Sequence, residues 1–128
     1  MNRIIVILST LLFSPLASAS CYQVSVQINE NKPNGSYWDR DEGKPDLKAC
    51  FIDNRSALCT IGKNGKSLCE DSLSCDLGII YFSGTTSNVV LTDLDLTSDD
   101  AIGIKECEVG SSCNLGNAVV NFVEASCN

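Results

Sequence analysis

The sequence has 128 residues, and without a 19-residue leader at its start 109 remain, the length of one domain. Sixteen acids stand against nine bases; with Arg3 removed in the leader the bases fall to eight and the net charge is −8. That balance excludes nucleic acid as an expected partner, because phosphate binding requires a basic face.

The chain opens with Asn2 and Arg3, an apolar run over residues 4–13, Pro15 and a small-residue exit at Ala17-Ser18-Ala19. This order of basic start, apolar run and small exit predicts a secretory signal over residues 1–19 and one domain over 20–128. Crossing a bilayer takes about 20 apolar residues, and no later run exceeds residues 77–82, so no transmembrane segment is expected. The expected location is secreted or periplasmic.

All eight cysteines follow the leader, and an even count in an exported chain predicts four disulfides. Zinc is the competing use. Against it, Cys69/Cys75 and Cys107/Cys113 are spaced Cys-x5-Cys and the chain has no histidine. A lipid anchor on Cys21 would leave seven cysteines, and Ser18 stands where that signal prefers a Leu-like residue. Residues 69–78 and 107–116 match at six of ten positions, both beginning Cys-Glu and ending Leu-Gly. If each pair closes on itself, a small covalent ring delivers the chain into a following strand. For the other four, the expectation is Cys50 with Cys59 across a hairpin and Cys21 with Cys127 tying the ends.

Residues 21–29 alternate strictly, Tyr22, Val24, Val26 and Ile28 against Gln23, Ser25, Gln27 and Asn29, as in a half-buried strand. Further strands are predicted over 47–53, 58–62, 77–82, 89–94, 102–109 and 118–124, separated by Gly, Asn, Asp and Ser clusters. Asn64-Gly65 predicts a hairpin between the strand-like pieces on either side of it. No segment carries a helical period, and the expected class is all-β, an antiparallel sandwich.

Half of the acids occupy two short windows: Asp39, Asp41, Glu42 and Asp46 in one, Asp93, Asp95, Asp99 and Asp100 in the other. In Asp93-Leu94-Asp95-Leu96 a strand would point both carboxylates one way, and Asp99 or Asp100 could return to meet them across the loop. Hard oxygens so gathered suit Ca²⁺, which takes about 6–8 oxygen ligands, better than Mg²⁺. Two solvated acidic turns are the plain alternative. A helix-loop-helix calcium hand is excluded, since Ser98 holds its Gly position and Ile104 the position of its closing Glu.

Residues 34–51, with Asp39, the turn at Gly43 and Pro45-Asp46 before a strand, resemble the first calcium loop of a C2 domain. Residues 89–103, with Asp93-x-Asp95, a short spacer and Asp100-x-Ile102-Gly103, resemble its third loop. With the opening strand the resemblance covers residues 21–103. It implies an eight-stranded antiparallel sandwich with calcium between loops at one end. It assigns Asp39, Asp46, Asp93, Asp95 and Asp100 as ligands, with Asp41 and Asp99 as adjacent alternatives, and implies calcium-dependent attachment to anionic lipid. Trp38 and Leu96, beside the acidic loops, are the candidates for lipid contact.

Without histidine there is no Ser-His-Asp or Cys-His nucleophile system, and a sandwich of this size offers little cleft for carboxylate-based glycosidase chemistry. The expectation is therefore a non-enzymatic, secreted calcium-binding module that engages a lipid surface or an extracellular protein through its acidic rim. The alternative is a disulfide-rich interaction or inhibitor protein whose acidic loops work without metal.

Overall fold

A computed structural model of the chain describes residues 20–38, 43–54, 56–61, 65–95 and 99–128. The leader lies outside the described residues. Eight strands follow in chain order: β1 (Ser20–Ile28), β2 (Leu47–Ile52), β3 (Ala57–Thr60), β4 (Ser74–Phe82), β5 (Thr86–Asp93), β6 (Asp100–Glu108), β7 (Cys113–Asn114) and β8 (Ala118–Ala125). They form two antiparallel four-stranded sheets, ordered β4-β1-β8-β7 and β3-β2-β5-β6. The expected all-β sandwich with disulfides is what the chain forms.

Alternation explains how the sheets meet. Val24, Val26 and Ile28 of β1 are buried, and on the other sheet Leu47, Ala49 and Phe51 of β2 face Val89 and Leu91 of β5 in one core. Phe51 meets Phe82 edge-on at 5.5 Å and Phe122 at 6.4 Å between ring centroids, so aromatic contacts bridge the two sheets.

All four disulfides pair as the sequence reading expected: Cys21–Cys127, Cys50–Cys59, Cys69–Cys75 and Cys107–Cys113. Cys50 and Cys59 are direct cross-strand partners on β2 and β3. The echo between the two Cys-x5-Cys rings has a structural cause. In each, the residue after the second cysteine accepts a hydrogen bond through its side chain from the amide of a glycine two positions on, Asp76 from Gly78 at 2.9 Å and Asn114 from Gly116 at 2.8 Å. Both glycines hold φ near +80 to +90°, where other residues are strained. The first kink is a bulge within β4, with the register shifting opposite Val24 and Ser25; the second is the β7–β8 turn. The repeat is therefore a turn device used twice.

Two expectations change. Asn64 lies outside the described residues, but the strands flanking Asn64-Gly65 form no hairpin, since β3 pairs with β2 in one sheet and β4 with β1 in the other. The connection crosses the sandwich: β3, a largely exposed edge strand, is held to β2 by its ladder and the Cys50–Cys59 bond, while β4 buries Cys75, Ile80 and Phe82 in the core, and these outweigh the local turn preference. β7, only two residues long, carries no pattern that could announce it.

The antiparallel pairings send the β1–β2, β3–β4, β5–β6 and β7–β8 connections to one pole of the sandwich. Cross-loop hydrogen bonds hold them there: Asn29 N–H donates to the Asn117 carbonyl at 2.8 Å and the Asn117 side chain to that of Ile102 at 3.1 Å. Asp46 of the first acidic window and Asp93, Asp95, Asp99 and Asp100 of the second fall on this pole.

Candidate metal centre

Asp93 ends β5 and Asp100 opens β6, and the two are direct partners in the antiparallel register. Alternation from Val89 and Leu91 turns Asp93 inward, and it is 0% exposed. Asp95 follows two residues beyond the strand end. One carboxylate oxygen from each of Asp93, Asp95 and Asp100 lies within 4.8 Å of the others. Like charges directly opposite destabilise a sheet unless a cation compensates them. Two oxygens bound to one calcium at about 2.3–2.6 Å lie at most about 4.6–5.2 Å apart, so each pair in the group is within reach of a shared ion.

A cation of the chain's own already stands beside this group. Lys32, from the β1–β2 connection, ion-pairs through Nζ with Asp100 Oδ2. The hydrogen bond to Asp100 holds the Lys32 ammonium above its ordinary pKa against the opposing effect of burial, and the charges of Asp100, Asp93 and Asp95 add to the rise. The same ammonium lies 5.9 Å from the centroid of the Trp38 ring.

The remaining described acids tie the loops together. Asp46 donates its amide to Asp93 Oδ1 at 2.7 Å, and its own Oδ1 accepts from the amide of Asp71 at 2.6 Å. Asp71 Oδ1 in turn accepts from the Lys44 amide at 2.8 Å. Asp71 adopts φ 48°, a left-handed conformation that aspartate tolerates better than most residues. Asp99 Oδ1 accepts from the Asp95 amide at 3.1 Å and so braces the β5–β6 loop.

Of the residues singled out in the sequence, Asp93, Asp95 and Asp100 come together. Asp46 sits at the same pole, but its carboxylate is turned to Asp71 and outside the three-oxygen group. Asp39, Asp41 and Leu96 lie outside the described residues. Trp38 departs from its expected role as a lipid contact. It is 3% exposed, belongs to the hydrophobic core and donates its indole N–H to the Asn29 carbonyl at 2.8 Å, a wholly inward-facing use of the ring. Exposed apolar side chains near this pole include Tyr37, 42% exposed, Ile61, 41% exposed, and Leu68, 51% exposed, the last next to the Cys69–Leu47 bridge.

Sequence reasoning missed Lys32 and Asp71 as members of this pole. Lys32 is 68 positions from its partner and carries no local signal. Asp71 could have been found by counting strands, since the first Cys-x5-Cys ring falls in a connection that returns to the acidic end. No protein-family model matches the chain, and no curated protein matches it.

Proposed function

We propose that this protein is an exported, disulfide-stapled binding module that takes up calcium at the rim formed by Asp93, Asp95 and Asp100. The convergence of three carboxylate oxygens within 4.8 Å, one of them from a fully buried aspartate, carries this reading. An all-oxygen donor set matches a hard cation, and calcium tolerates irregular geometry. Asp46, at the same pole, and Asp39 and Asp41, in the same connection, are the candidates for further ligands, as the resemblance to C2 domains implies. Four disulfides fit an oxidising compartment, where a weak site with Kd of about 10⁻⁴–10⁻³ M is sufficient. Bound calcium would remove most of the local negative charge and, through coordination positions left open to a lipid phosphate, let the rim meet an anionic lipid surface, with Tyr37 and Leu68 supplying apolar contact.

Thermal unfolding during a calcium titration tests the reading. Stabilisation reaches about 2.7 kcal/mol at a hundredfold excess over Kd, and Asp93→Asn with Asp95→Asn removes it. A wild-type melting temperature that does not move at calcium concentrations well above about 10⁻³ M rejects the site.

One observation favours a second reading. Lys32 already compensates part of the acidic charge, so the rim can stand without metal and bind a basic protein partner directly. Partner binding that chelator leaves unchanged would decide for this alternative.

A further inference from the structure

The pole opposite the acidic rim holds a polar pocket of about 450 Å³, within the range of small-ligand sites. Its floor is a cross-strand row on the outward face of the second sheet, in which Ile52 of β2 pairs with Asn88 of β5 and Asn88 with Glu106 of β6. At about 4.8 Å between strands, the row spans roughly 10 Å. One wall is the β4–β5 turn at residues 83–85 with Thr86 at the start of β5, another the start of the β2–β3 turn at Asp53.

The walls are fixed by their own hydrogen bonds. Asp53 Oδ2 accepts from the Ser83 hydroxyl at 3.1 Å and Asp53 Oδ1 from the Ser56 amide at 2.9 Å, which lashes one turn to the other. Val109 N–H donates to the Thr85 carbonyl at 2.8 Å and holds the turn from its far side.

The lining selects a class of ligand. Both of its charged residues, Asp53 and Glu106, are acids, so an anion is repelled. Ile52 alone is apolar, so a hydrophobic ligand finds too little to bury. Because Asp53 serves the turns, a cation would meet Glu106 as an exposed surface charge, a pairing worth little. Glu106 is an acceptor and its neighbour Asn88 both donates and accepts, and hydroxyls of Thr85 and Thr86 stand beside them. Adjacent hydroxyls of a pyranose ring satisfy that pair, with the aliphatic face of the ring on Ile52.

We propose that this pocket is a saccharide-binding site in which Asn88 and Glu106 hold two neighbouring sugar hydroxyls over Ile52. It is separate from the acidic rim and does not depend on calcium.

The test has two arms. On a printed glycan array, labelled protein is expected to retain a restricted set of neutral glycans, equally with and without chelator. In ¹H–¹⁵N spectra, the free methyl glycoside of the retained sugar is expected to shift Ile52, Thr85, Asn88 and Glu106. Asn88→Ala and Glu106→Gln, both at exposed positions that leave folding intact, are each expected to weaken binding about tenfold or more. The proposal is overturned if no glycan is retained, if either variant binds like wild type, if the shifts map to the acidic pole, or if spermidine binds this pocket and the sugars do not.

Discussion

The amide of Asp46 donates a 2.7 Å hydrogen bond to Oδ1 of Asp93, a side chain 47 positions away that is fully buried. Two acids of like charge are thus joined by the backbone of one and the carboxylate of the other. The bond satisfies one oxygen of a costly buried group and locks the β1–β2 connection onto the end of β5. It also leaves the Asp46 carboxylate turned to Asp71, so adding Asp46 to a metal shell requires its side chain to swing from the Asp71 amide.

The carboxylates should therefore differ in what they do for calcium. Asp95→Asn and Asp100→Asn are each expected to weaken calcium binding by tenfold or more, whereas Asp46→Asn, outside the three-oxygen group, weakens it less. Isothermal titration on the three variants checks the order, and equal losses at all three would place Asp46 in the shell.

Lys32 has to leave, or at least shift, for a divalent ion to sit among these oxygens. Its ion pair with Asp100 is partly solvated, at 23% and 41% side-chain exposure, so it is worth about 0.2–1 kcal/mol. Lys32→Met is expected to tighten calcium binding about two- to fivefold while lowering metal-free stability by a similar energy. Because the folded-state pKa of Lys32 is raised, its contribution is present in full below the ordinary lysine value of 10.5 and is lost as pH rises through the higher folded value. Urea melts of wild type and Lys32→Met in chelator should converge only above that pH. The protein's single tryptophan, Trp38, lies under the ammonium, so its fluorescence should respond to calcium in wild type and much less in Lys32→Met.

Gly103 makes a packing prediction independent of any ligand. A Cβ there would stand 2.8 Å from Cβ of Leu115, because the edge strand β6 passes close against the residues after β7. Gly103→Ala should cost about 1–3 kcal/mol by overpacking. Combined with Leu115→Ala it should cost less than the sum of the two single changes, which a double-mutant cycle in urea measures.

The disulfides should rank by the chain they enclose. Cys21–Cys127 has a sequence separation of 106, against six for Cys107–Cys113. On the loop-entropy view its removal by paired Cys→Ser changes costs about 4–5 kcal/mol and removal of the small ring about 2 kcal/mol. Denaturant unfolding of the two double variants gives the comparison; the reverse order would show that the rings act mainly by shaping the kinked strands.

For attachment to lipid, co-sedimentation with phosphatidylserine vesicles should require calcium and fall when Tyr37 and Leu68 are both changed to Ser. Trp38→Ser should instead lower stability, since its ring is core. Equal pelleting with calcium and with chelator removes lipid from the reading.

Much of this architecture was legible because period-2 alternation is a local signal. Tyr22, Val24, Val26 and Ile28 marked β1, and the Asp-x-Asp spacing with a short return loop was enough to bring Asp93, Asp95 and Asp100 together. What stayed hidden depends on which sheet a strand joins. Asn64-Gly65 invited a hairpin that the crossing between β3 and β4 denies. Trp38 stands in a connection where no alternation tells inside from outside, and Lys32 and Asp71 reach the site only because four connections converge on one pole.

Cys21 stands at the start of β1 and Ile28 at its end, roughly 23 Å away at about 3.3 Å per residue. The Cys21–Cys127 bond therefore fastens both ends of the domain at the pole remote from the aspartates. Whatever is fused before Ser20 or after Asn128 departs from that side, so a tether at either end moors the molecule with its charged loops held outward. The sugar pocket, on the moored side, would then face the support, and the two surfaces could be assayed separately by choosing whether to anchor the protein or leave it free.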